Sequence, residues 1–102
     1  MTTSSVRVSL PFHLQTLAKC GPEVIVSVQG SVTADAILDA LEAAYPMLCG
    51  TIRDHVTKRR RPLLRYFVCQ RDASHDPTDA ELPRAIADGY EPFIVWGALS
   101  GG

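Results

Sequence analysis

Ala34, Ile37, Leu38, Leu41, Ala44, Tyr45 and Leu48 recur at spacings of three and four, which only an α-helix gathers into one continuous apolar face. Thr33 is placed to cap the first turn, Asp35 sits where the helix dipole favours a negative side chain, and Pro46 closes the pattern. Asp35, Asp39 and Glu42 fall off the stripe and read as its solvated face. A helix with a single apolar stripe must bury it against another element, so the rest of the chain has to supply a matching surface.

That surface is legible as strands. Val6-Arg7-Val8-Ser9-Leu10 alternates apolar and polar residues, as a strand with one buried face does, and Pro11 ends its ladder. A second strand fits Glu23 to Val28. Between them, His13 to Pro22 reads as a loop with a helical turn, closed by Gly21-Pro22, and Gln29-Gly30-Ser31 turns the chain into the helix. A third strand spans Leu63 to Cys69, where Leu64, Tyr66 and Val68 alternate with Arg65 and Phe67. Arg71 to Pro83 is rich in Asp, Ser, Pro and His and reads as loop, with a short turn of helix from Leu82 to Ile86. Asp88-Gly89 is a tight-turn signal feeding a last strand, Pro92 to Trp96.

The order is strand, strand, helix, strand, strand, which predicts an α+β fold: a β-grasp arrangement with a mixed four- to five-stranded sheet packed on one main helix. In that layout the first and last strands pair at the centre. Residues 1–102 form a single domain, with 97–102 expected as a flexible Gly-Gly tail on a rigid body. A chain of 102 residues, 46% hydrophobic and 21% charged, can bury one core.

The net charge of −1 argues against nucleic acid as the main partner. No segment approaches the roughly 20 apolar residues of a membrane span, and Met1-Thr2-Thr3-Ser4-Ser5 lacks the features of a signal peptide, so a cytoplasmic location without membrane association is expected. Cys20, Cys49 and Cys69 are widely spaced and read as reduced and largely structural, Cys20 and Cys69 as small buried hydrophobes rather than a sulfur relay. His13, His55 and His75 show no ligand spacing, so no metal is expected. Lys58-Arg59-Arg60-Arg61 reads as a solvated basic run.

The residues that point to chemistry come last. After the run Phe93-Ile94-Val95-Trp96 the sequence continues Gly97-Ala98-Leu99-Ser100-Gly101-Gly102. Glycines without Cβ atoms let a backbone thread a narrow channel and present an unhindered carboxylate, so Gly102 is the expected reactive residue. Gly97, Ala98, Leu99, Ser100 and Gly101 would present it; Leu99 offers an apolar anchor, and Trp96 and Phe93 are candidates for partner contact.

With its opening strand, the Thr33-to-Tyr45 helix followed by Pro46, the Phe67-Val68 strand, Asp88-Gly89 and the final Gly101-Gly102, the chain resembles the MoaD/ThiS ubiquitin-like sulfur carriers. The likeness in order covers nearly the whole chain; the diglycine and the Asp-Gly turn are its specific motifs. Extra length lies around residues 55–62 and 71–81, segments to which the resemblance assigns no role.

The resemblance implies a protein cosubstrate, not an enzyme. A partner adenylating enzyme of the ubiquitin-activating type would use ATP to adenylate the Gly102 carboxylate, and a sulfur donor would convert it to a thiocarboxylate. The sulfur would pass to a synthase subunit, with molybdopterin (molybdenum cofactor) biosynthesis the leading pathway and this chain the small subunit of that sulfurtransferase complex. No cofactor would be bound to the chain itself. Carriers for thiamine, cysteine or a thio-metabolite are alternatives. So are a ubiquitin-like modifier conjugated through Gly102 and a β-grasp binding module without tail chemistry.

Overall fold

The computed structural model describes residues 2–97. Nine short elements follow one another: β1 (Thr3–Ser9), α1 (Phe12–Ala18), β2 (Glu23–Gln29), α2 (Ala34–Ala44), a 3-10 turn (Pro46–Leu48), β3 (Leu64–Val68), β4 (Arg71–Asp72), α3 (Arg84–Ala87) and β5 (Phe93–Gly97). The five strands make one mixed sheet in the order β2-β1-β5-β3-β4. β1 runs antiparallel to β2 and parallel to β5, and β3 runs antiparallel to both β5 and β4. The first and last strands are therefore neighbours in the middle of the sheet, as expected.

Register follows from burial. Val6 and Val8 on β1 stand opposite Val26 and Val24 on β2, all four buried, while Arg7 between them faces outward opposite Ile25. A slip of one residue would turn the valines into water and Arg7 into the core, so a single register is strongly selected. Leu64, Tyr66 and Val68 of β3 and Phe93 and Val95 of β5 complete the inner face.

The helix stripe closes this face from one side. Ala34, Ile37, Leu38 and Leu41 are buried, the last three at 1% exposure or less. Thr33 caps the helix as its position suggests, its Oγ1 accepting the Ala36 N–H at 3.0 Å. Full burial of side chains such as Ile37, Leu38 and Leu41 contributes roughly 1.5–3 kcal/mol each, which makes the α2 contact with the sheet a principal source of stability.

Several elements differ from expectation. β1 begins at Thr3 because Ser4 and Thr3 continue the ladder opposite Val28 and Gln29, a pairing that hydropathy alone does not mark. The connection after Pro11 holds a seven-residue helix, α1, anchored by Leu14 and Ala18 in the core and closed by Lys19 in the left-handed region at φ 55°. The Arg71-to-Pro83 loop contributes the two-residue strand β4, joined to β3 by Cys69 and Gln70 at φ 50° and 67°. These angles fit the tight reversal of a two-residue hairpin, usually signalled by Asn-Gly, so the turn was not legible from Cys-Gln. Gly97 belongs to β5, opposite Leu64, and is buried, not the first residue of a flexible tail.

Candidate functional site at the end of β5

Gly102, Gly101, Ser100, Leu99 and Ala98 lie outside the described residues. What the structure describes is the support from which they continue. β5 is held on both sides: Phe93 and Ile94 pair with Val8 and Ser9 of β1, while Ile94, Val95, Trp96 and Gly97 pair with Phe67, Tyr66, Arg65 and Leu64 of β3. The root of the C-terminal segment is thus the end of a strand inside the sheet.

Gly97 is closed in by three neighbours. A Cβ built on it would meet His13 Cε1 at 2.9 Å, Pro11 Cβ at 3.4 Å and Leu64 Cδ2 at 3.5 Å. Here glycine serves a close approach between β5 and the start of α1 rather than backbone freedom.

The two aromatic candidates separate. Phe93 is 1% exposed and packs against Tyr66 with ring centroids 5.3 Å apart, so it is a core residue and its ring is not available for surface contact with a partner. Burial of the same Tyr66 pushes its phenol up to about 12. Trp96 lies on the outer face, 44% exposed, and meets Phe67 edge to face at 6.5 Å. It is the candidate that remains open to a partner.

A charge cluster around a buried Arg53–Glu42 pair was missed by sequence reasoning. Asp39 is exposed and Asp35 partly so, as expected of a solvated face, but Glu42 is buried, and all three acids converge on Arg53, which is 1% exposed. Arg53 donates through Nε to Glu42 Oε2 at 3.0 Å and through Nη2 to Asp39 Oδ1 at 2.5 Å and Glu42 Oε1 at 3.1 Å; Nη1 lies 3.6 Å from Asp35 Oδ1. Burial opposes the charge on Arg53, but the hydrogen bonds and fields of Glu42 and Asp39 outweigh it and its pKa is raised. The available signal was the i, i+4, i+7 spacing of the three acids, which puts them along one line of the helix.

The basic run is also more engaged than expected. Arg60 Nη1 donates to the carbonyl of Leu64 at 2.6 Å and Nε to that of Ser74 at 3.2 Å, and Arg61 Nε donates to the Gly50 carbonyl at 2.9 Å. Together with Arg53 these bonds fasten the segment between the 3-10 turn and β3 to the body of the protein. Lys58 and Arg59 are exposed. The cysteines are free: Cys20 is half-buried against the core, whereas Cys49 and Cys69 are exposed, so Cys69 is not the small buried hydrophobe expected. Among the described residues no cluster of His, Cys, Asp and Glu is arranged to hold a metal ion, and no helix is long and apolar enough to cross a membrane.

No family model matches the chain, and no curated protein matches it. Solved structures do. The crystal structure of small archaeal modifier protein 1 from Haloferax volcanii superimposes with a TM-score of 0.74 at 20% identity, over 94% of this chain and 99% of that one. The solution structure of small archaeal modifier protein 1 from Methanosarcina acetivorans gives 0.72 at 20% identity, covering both chains completely. A chain of the Amycolatopsis orientalis BexX/CysO complex gives 0.71 at 19% identity, over 95% of this chain and 99% of that one. With the central parallel pairing of β1 and β5 and one main helix across the sheet, the chain has the β-grasp fold that these proteins share.

Proposed function

We propose that this protein is a sulfur carrier whose reactive group is the carboxylate of Gly102. The observation that carries the reading is the small-residue segment Ala98-Leu99-Ser100-Gly101-Gly102 following directly on a strand locked into the sheet at Gly97. Five extended residues reach at most about 17 Å, enough for a carboxylate to enter another protein's active site while the folded body stays outside. The likeness to small modifier proteins and to a chain of the BexX/CysO complex supports the same reading.

In the proposed chemistry a carboxylate oxygen of Gly102 attacks the α-phosphorus of ATP held by an adenylating partner, and pyrophosphate leaves. The sulfur of a persulfide or sulfide donor then attacks the acyl carbon, and AMP departs with the electron pair of the broken C–O bond. A persulfide donor leaves an acyl disulfide, which a thiol reductant cleaves to the thiocarboxylate. Splitting the transfer through an activated acyl intermediate replaces one difficult step by easier ones. Every acid, base and nucleotide contact belongs to the partners; this chain contributes the carboxylate and a shape to grip, and binds no cofactor of its own. The sulfur acceptor we favour is a synthase subunit of molybdopterin biosynthesis in the cytoplasm, with thiamine, cysteine and thio-metabolite pathways as alternatives.

The intact mass of the chain isolated from its own host tests both that Gly102 is the terminal residue and that it carries sulfur. After incubation with the adenylating enzyme of that host, ATP and a sulfide source, an oxygen-for-sulfur mass change located to Gly102 is expected. An unchanged mass, or full activity after removal of Gly101-Gly102, refutes the reading. The name of the archaeal relatives favours a second one, attachment through Gly102 to lysines of other proteins. Conjugates bearing the C-terminal peptide on lysine would identify it.

A further inference from the structure

Beside Gly97 lies a pocket of about 280 Å³, walled by Thr51, Pro62, Leu63 and Leu64 with His13 and Arg61. It is built by three separate parts of the chain: the start of α1, the 49–63 segment that Arg53 and Arg60 fasten down, and the paired ends of β3 and β5. Leu63 is half exposed at this site, an apolar side chain that folding leaves partly in water. The volume falls just below the roughly 300–1,000 Å³ of small-molecule pockets and suits one large side chain of another protein, the form in which interface anchors are usually seated.

Charge narrows the occupant further. Among the described residues no acidic side chain lines the pocket, whereas Arg61 does, and its Nε is already spent on the Gly50 carbonyl. The charge of Arg61 reaches Asp54, whose Oδ1 accepts from the N–H groups of Val56 and Thr57, each at 2.8 Å. Arg61 lines the pocket, and among the described residues no carboxylate lies within ion-pair distance of it.

We propose that this pocket is a docking site for a protein partner that inserts a large apolar side chain flanked by carboxylates, gripping the body at the point where the C-terminal segment begins. The inference goes beyond the sulfur-carrier reading and does not depend on any reaction at Gly102.

The test is a titration of the full, isotope-labelled chain with the peptide acetyl-Glu-Leu-Glu-amide, followed by backbone amide shifts. Saturable shifts at Thr51, Leu63 and Leu64 are expected, weaker at high salt. Acetyl-Lys-Leu-Lys-amide and acetyl-Glu-Ser-Glu-amide should bind more weakly, and Arg61→Gln should lower affinity roughly fivefold, the scale of one exposed ion pair. Leu63→Ser, at a half-exposed position that tolerates polarity, should do the same while leaving the remaining spectrum unchanged. Shifts centred elsewhere, equal binding of the control peptides, or indifference to both substitutions would overturn the proposal. It is also overturned if deleting residues 98–102 moves Thr51 and Leu63 in the absence of peptide and strengthens peptide binding, since the pocket would then belong to the chain's own end.

Discussion

Arg53 Nε and Glu42 Oε2 meet at 3.0 Å in the interior, eleven positions apart in sequence, and tie the segment after α2 back onto that helix. Glu42 is itself 8% exposed, so each group is the other's main substitute for water. Arg53→Ala leaves a buried carboxylate uncompensated and should cost about 3–5 kcal/mol. Replacing both, as Arg53→Met with Glu42→Leu, removes the stranded charge and should recover most of the loss. Urea midpoints at constant m-value check this, and a loss below about 1 kcal/mol for the single variant would mean the cluster is better hydrated than its burial indicates.

Asp72 offers a pH-dependent counterpart at the surface. Hydrogen bonds from Ser74, side chain and backbone, with that from Arg65, lower its carboxyl from 3.8 to about 2. A depressed folded-state pKa stabilises the fold above the unfolded value, so this contribution is complete above about pH 4 and is lost as pH falls toward 2. Carboxyl-carbon NMR should show Asp72 titrating near 2, and Ser74→Ala should move it upward. The same substitution removes the Oγ that accepts the buried Tyr66 N–H at 2.9 Å, at a cost of about 1–3 kcal/mol. Titration of Asp72 near 4 in the unaltered protein would refute the assignment.

The contrast between these two sites and the sheet explains what could be read in advance. Val6, Val8, Ile37, Leu38 and Leu41 announce themselves because burial imposes a period on hydropathy, and period plus order led to the central β1–β5 pairing. Arg53 announces nothing: a lone arginine after Ile52 looks like any solvated residue until the fold brings three carboxylates from another element to it. Phe93 and Trp96 stand three positions apart in one apolar run, and only the alternation set by pairing with Val8 and Arg65 decides which faces inward. The root of the C-terminal segment lies one residue later than its sequence suggests, since Gly97 reads as a spacer while its neighbours His13 and Leu64 are distant in sequence.

Thr33 tests the start of α2. Its Oγ1 takes one of the helix's orphan N–H groups, so Thr33→Ala should destabilise the protein by about 1 kcal/mol, while Thr33→Ser should be nearly neutral. Equal melting temperatures for the alanine and serine variants would show that the cap is dispensable.

Gly89 tests the turn into β5. It sits at φ 80°, a left-handed conformation that costs a residue with a Cβ roughly 1–2 kcal/mol, and an added Cβ would stand 3.5 Å from the Ser5 carbonyl oxygen. Gly89→Ala should therefore lower stability by about that amount, and Gly89→Asn, which tolerates the left-handed region better, by less. An alanine variant as stable as the parent would show that the turn relaxes to a negative φ.

Gly97 tests whether the end of β5 is closed by packing or merely happens to lack a side chain. Its backbone is not in the left-handed region, so any penalty is steric. The 2.9 Å approach to His13 Cε1 involves an exposed side chain that can swing away, whereas Pro11 and Leu64 are buried and cannot. Gly97→Ala should then cost less than about 1 kcal/mol and be relieved by His13→Ala, while Gly97→Val, overpacking against Pro11 and Leu64, should cost about 1–3 kcal/mol with no relief from the same second change. Thermal unfolding of the four variants separates the terms. If His13→Ala rescues valine as fully as alanine, the imidazole alone closes the root, and Pro11 and Leu64 do not constrain it.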